Sequence, residues 1–180
     1  LKPLIYIFSS VAAISVYVLL DTIILGFLTD FQAVGYYTSA SRIIKITIPV
    51  LTSLGTVLIP QMATAFKEKN MDHVQDLAMH SMSFVISLGV PMCIGLIVLA
   101  PELIMLFSGA AFAASIFPMQ LFAPVLLIIG LSNVWSVQIL MPAGKDKYVT
   151  ISVVIGMVAS LFFNFLLIPH FSYIGATIAN

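Results

Sequence analysis

Five apolar runs, at about 4–28, 36–66, 81–107, 119–141 and 148–168, alternate with short polar connections along the chain. A helix rises ~1.5 Å per residue and needs about 20 apolar residues to cross hydrocarbon. The pattern therefore predicts an all-α, polytopic membrane helix bundle of five transmembrane helices. A sixth apolar run starts near 173–180. The longest polar connection, 67–80, sets Met71, Val74, Leu77 and Ala78 against Asp72, His73, Gln75 and Asp76. That alternation predicts a short amphipathic connector helix at the membrane face.

The second run is unusual because it carries two cations, Arg42 and Lys45, inside its apolar stretch. Thr38, Arg42, Lys45, Pro49, Thr52, Thr56, Pro60 and Thr64 follow one another at steps of three or four, which places them on one helical face. A cation facing lipid costs about 2.5–3.5 kcal/mol even on an insertion scale. The stripe is therefore a candidate cavity lining; the plainer alternative is that both cations snorkel and the threonines bond their own backbone. Pro49, Pro60 and, in the third run, Pro91 are candidate helix breakers, since proline removes a backbone donor.

The first run holds one charge, Asp21, which alternation places at a depth similar to that of Arg42 in the neighbouring antiparallel helix. An ion pair of Asp21 with Arg42 or Lys45 is expected, because pairing lowers the cost of burying each charge. It would serve either the cavity or the fold alone. Ser83, Ser87, Pro91 and Gly95 in the third run, and Ser152, Gly156, Ser160 and Asn164 in the fifth, repeat every four residues and read as packing seams. Asn133 and Gln138 in the fourth run either contact substrate or bond neighbouring helices. Tyr36, Tyr37, Tyr148 and Tyr173 fit interfacial belts.

Composition agrees with a membrane protein: 61% hydrophobic residues, 8% charged, and a mean hydropathy of +1.16 over 180 residues. Formal net charge is zero, so no basic field points to nucleic acid. Position matters instead. With alternating helices, Lys2, Lys67, Lys69, Lys145 and Lys147 fall on one side, and the positive-inside rule makes that side cytoplasmic. Cys93 is the only cysteine and reads as a small packing residue. The opening Leu-Lys-Pro and the closing apolar start are expected of an internal piece of a longer protein.

Motifs for nucleotide binding, zinc hydrolysis, disulfide exchange or serine nucleophiles are absent from the sequence, and His73, His80 and His170 are scattered. No catalytic residue, metal site or cofactor is expected, and the chain reads as a non-enzyme.

Several stretches taken in order carry a resemblance: VLLDTIILGFL, AVGYYTSASRIIKI, LGTVLIPQMATAF, LAPELIMLFSGAAF, LSNVWSVQILMPAGKDK and NFLLIPHFSYIGATIAN. Together they resemble the Wzx-like polysaccharide or oligosaccharide flippases of the multidrug/oligosaccharidyl-lipid/polysaccharide exporter superfamily. The resemblance implies two facing bundles of six helices, of which this chain would be the first five helices of the second, MATE-like lobe and the start of the sixth. It implies alternating-access movement of a polyprenyl-pyrophosphate-linked oligosaccharide from the cytoplasmic to the outer leaflet of a bacterial plasma membrane. The implied partners are that substrate, the bilayer, an N-terminal helix bundle of the same protein and a polysaccharide polymerase. Cationic cavity residues are expected in such a protein, and Arg42 and Lys45 match by type and helix. The alternatives are a drug or cation antiporter, a peptidoglycan-precursor flippase, and a non-transporting scaffold or subunit of a polysaccharide synthase complex. An antiporter for cationic drugs would favour an acidic cavity, against the excess of Arg42 and Lys45 over Asp21.

Overall fold

The computed structural model describes residue 8 and residues 21–180. Every regular element among them is helical. In chain order they are α1 (described over 21–28), α2 (Phe31–Lys67), α3 (Met71–Val98), α4 (Ala100–Phe107), a 3₁₀ segment (Ala110–Ser115), α5 (Ile116–Asn133), a π-helical segment (Val134–Leu140) and α6 (Asp146–Ala179). Four described spans are long and apolar enough to cross a membrane: α2, α3, Ala110–Leu140 and α6. Most of the first predicted run, with Lys2 and Tyr17, lies outside the described residues.

Caps and turns explain where the helices stop. Asp30 accepts from the backbone N–H of Ala33 at 2.8 Å and opens α2, and Asn70 accepts from that of His73 at 3.1 Å and opens α3. Lys69, at φ 57°, makes the tight corner between α2 and α3. Gly109 and Gly144 take positive φ at two further connections, where glycine carries no steric cost. Within α6, Ser172 leaves helical geometry (φ 51°, ψ −132°) three residues after Pro169. The chain folds back there so closely that a Cβ on Gly175 would stand 2.4 Å from the Leu167 carbonyl oxygen.

α5 packs along both α2 and α3, and α6 leans on α2 and α5. The core between them includes Leu25, Ala40, Leu51, Ile104, Met119, Leu126, Val134 and Ile168. Leu51 fills a notch formed by two glycines: its methyls lie 3.3 Å and 2.6 Å from where Cβ atoms of Gly89 and Gly130 would stand. A smaller cluster of Met62, Ala65, Val74 and Leu77, with Ile139 packed on it, ties the α2–α3 corner to the end of the π segment. Lys67, Lys69, Lys145 and Lys147 all sit at that end. At the opposite end Tyr36 meets Phe112 and Tyr173 edge-on at 6.0 Å and 5.4 Å.

Several expectations are corrected. Residues 71–80 are not a separate connector helix but the first turns of α3, because nothing between Met71 and Val98 interrupts the helical ladder. The break falls instead at Leu99, just before Pro101. Neither Pro49 nor Pro60 ends α2, and Pro91 does not end α3. Each proline removes one backbone hydrogen bond, and the turns on either side hold. The seam read at Ser83, Ser87, Pro91 and Gly95 is the wrong face, since the first three are exposed and Gly95 has open space where a Cβ would point. The packed face of α3 is Ser81, Val85, Gly89, Cys93 and Leu96. On α6 only Ser160 and Asn164 of the expected seam are buried. Tyr37 is a core residue, 3% exposed, rather than part of a belt.

Candidate functional site

α2 divides cleanly by face. Ala33, Tyr37, Ala40, Ile44, Leu51, Gly55, Met62 and Ala65 are buried against the bundle. Arg42, Lys45, Pro49, Thr56, Pro60 and Thr64 are exposed, and Thr38 and Thr52 are half-buried. The polar stripe therefore runs along the side of α2 that this chain leaves uncovered. Thr38, Thr52 and Thr56 donate to their own helix, at Val34 O (2.8 Å), Ile48 O (3.2 Å) and Ser53 O (2.7 Å). Their hydroxyl oxygens keep lone pairs for an outside donor. At the foot of the stripe a shallow cleft is lined by Pro60, Gln61, Thr64, Ala65, Glu68 and His73.

Asp21 is 1% exposed and belongs to a different side of α2. Its carboxylate accepts from Asn164 Nδ2 at 2.7 Å, from Asn180 Nδ2 at 2.5 Å and from the Tyr37 hydroxyl at 3.4 Å. Asn180 Nδ2 also donates to the Tyr37 hydroxyl oxygen at 2.9 Å. The expected ion pair is thus replaced by a polar knot joining α1, α2 and both arms of α6. Among the described residues no ion pair joins Asp21 to Arg42 or Lys45. The reason is rotational: the buried face of α2 meets Asp21 with Tyr37, and the cations lie around the helix from it. Asn164 Nδ2 bonds Ser160 Oγ as well, at 3.2 Å, while its buried Oδ1 has no hydrogen-bond partner among the described residues.

Asn133 and Gln138 come together beside α2, about 15 Å along that helix from Lys45. Gln138, 2% exposed, accepts from Ser81 Oγ at 2.6 Å, and its Nε2 lies 3.5 Å from Asn133 Oδ1. The nitrogen also lies 2.5 Å from where a Cβ of Gly55 would stand. Gln138 is therefore an interhelical bond in this structure, and Asn133 is half-buried at its edge. The sequence reading missed Tyr37, Asn180, Ser81 and Gly55 as members of these clusters. Asn164, an amide in an otherwise apolar run, was the legible signal.

This arrangement, a multi-helix bundle with a polar stripe on one uncovered face, can be compared with known proteins. Residues 5–117 match the family model described as a polysaccharide biosynthesis protein. The chain belongs to that polysaccharide biosynthesis protein family. It is also similar, at 25% identity over 172 residues, to a candidate O-antigen transporter of Shigella dysenteriae. The aligned region covers 96% of this chain and 42% of that relative. No solved structure matches the chain. Membership in the polysaccharide biosynthesis family bears out the resemblance carried by the quoted stretches.

Proposed function

We propose that this chain is part of a flippase that moves a polyprenyl-pyrophosphate-linked oligosaccharide across the bacterial plasma membrane by alternating access. The observation that carries the reading is the uncovered face of α2, where Arg42 and Lys45 stand exposed within a span whose opposite face builds the core. Facing lipid, each cation would cost about 2.5–3.5 kcal/mol; facing a hydrated cavity closed by a second helix bundle, it would not. Arg42 offers a planar fork to a pyrophosphate and Lys45 a point charge. The threonine oxygens of the stripe and the Asn133 amide would meet sugar hydroxyls. Asp21, with the spare acceptor of Asn164 beside it, couples the movement to an ion.

In this reading the chain supplies five membrane helices and, after the break at Ser172, the start of a sixth, with the lysine-rich end in the cytoplasm. The family match and the O-antigen transporter likeness support the polysaccharide substrate class. The test is complementation of a flippase-deficient strain by the full-length gene carrying Arg42→Ala, Lys45→Ala or Arg42→Lys. At normal membrane expression, either alanine variant should lower surface polysaccharide by about tenfold or more, with partial recovery in Arg42→Lys. Normal export by both alanine variants would assign the stripe to snorkelling or to a protein contact.

A further inference from the structure

The π-helical segment carries Gln138, a buried side chain to which the proposed function gives no part. In a π-helix the hydrogen bonds run i→i+5, so residues five apart come onto one face, whereas an α-helix would turn them well apart. Asn133 and Gln138 are such a pair, and their side chains meet at 3.5 Å. Gln138 is held from the other side by Ser81 of α3 at 2.6 Å. It rests on α2 at Gly55, where no side chain intervenes: a Cβ there would be 2.5 Å from Nε2 and 3.1 Å from Asn133 Oδ1. Four residues earlier, Leu51 sits in the Gly89–Gly130 notch.

These two contacts differ in kind. Leu51 is held by apolar packing, which is non-directional and tolerates small rotations. The Gln138 amide is directional, buried and fixed by Ser81, and losing its seat would leave a buried polar group unpaired. Gly55 lies between Leu51 on the buried face and Thr52 and Thr56 on the polar face, so whatever occupies that point sets how far the polar face turns outward.

We propose that Gln138, seated on Gly55 and anchored by Ser81, is a positioning residue that fixes the rotation of the lower half of α2 and so directs Thr52 and Thr56 into the transport cavity. The π segment is the local winding that makes this seat possible. The proposal rests on the cavity reading of α2 given above.

The test is cysteine scanning of residues 52, 53, 56 and 57 in the full-length protein in intact membranes, in a background with its other cysteines, Cys93 among them, replaced by alanine, with a membrane-impermeant maleimide. In the otherwise unchanged protein, labelling should favour 52 and 56 over 53 and 57. Gly55→Ala and Gln138→Leu should each lower that preference by about threefold or more at matched protein amounts. Ser81→Ala, a milder change, should do so in the same direction and covers the case in which Gly55→Ala fails to accumulate. A role in stability alone would lower protein amount and leave the labelling pattern in place, and an unmoved pattern in Gln138→Leu and Ser81→Ala overturns the proposal. Absence of labelling at 52 and 56 in the unchanged protein would overturn the cavity reading and the positioning role together, whereas a labelled but unmoved face would overturn the positioning role alone.

Discussion

At the scale of the residue, the glycines of this chain separate into two kinds that sequence spacing does not distinguish. Gly130 faces Leu51 and Val85, whose atoms lie 2.6 Å and 2.8 Å from a hypothetical Cβ, while Gly95 and Gly156 face open space. Gly130→Ala should therefore destabilise the full-length protein by about 1–3 kcal/mol through overpacking. Thermal unfolding in detergent would show this, and adding Leu51→Val should restore part of the loss because the two sites share one notch. Gly156→Ala, by contrast, should be neutral or stabilising by up to about 1 kcal/mol, since alanine is the better helix former. The Asp21 knot makes a second residue-level prediction. Asn164→Leu removes a donor from a buried carboxylate and should lower stability by about 1–3 kcal/mol, a loss readable in the same melt. That Asp21 would be buried with partners was legible from its place in an apolar run. Which partners was not, because the pairing depends on the rotation of α2 and on a contact with Asn180, 159 residues away.

At the scale of the element, the apolar runs located the helices, and their boundaries were decided by local chemistry that hydropathy does not see. Asn70 starts α3 ten residues before the apolar run begins, because a side-chain cap acts on backbone N–H groups whatever the polarity of the following turn. Prolines misled in one direction: Pro49, Pro60 and Pro91 lie inside continuous helices, whereas the chain does fold back at Ser172, just after Pro169 where the fifth apolar run ends. The residue that permits that reversal is Gly175. Gly175→Ala would drive a Cβ into the Leu167 backbone, which cannot give way as a side chain can. It should displace Asn180 from Asp21 and leave a broadened or aggregated profile in size-exclusion chromatography of the full-length protein, while Gly156→Ala elutes normally. The π segment had no signature in the apolar pattern, since a change of winding leaves hydropathy unaltered.

At the scale of the whole molecule, charge is segregated along the bundle axis. The described lysines other than Lys45 gather where α2 meets α3 and α5 meets α6, and among the described residues the opposite end carries Asp30, Glu102 and His170 without a lysine or arginine. Single cysteines at Lys69 and Glu102, with every other cysteine of the protein, Cys93 among them, replaced by alanine, should be reached by an impermeant thiol reagent from opposite sides of the membrane, Lys69 from the cytoplasmic side. The polar face of α2 was legible as a stripe because 3.6-residue periodicity survives any packing arrangement. What covers it was not, because periodicity marks a face without saying what packs on it; the aligned region spans 42% of the Shigella relative's length. The knot around Asp21 also bears on how the protein is made. Asn164 follows Asp21 by 143 residues, so at ordinary synthesis rates the acid enters the membrane on the order of 10 s before that partner exists. For that interval the helix that carries Asp21 lacks the amide that meets the acid in the folded chain, and placing it in lipid before Asn164 arrives costs about 2.5–3.5 kcal/mol, a burden on biogenesis rather than on transport.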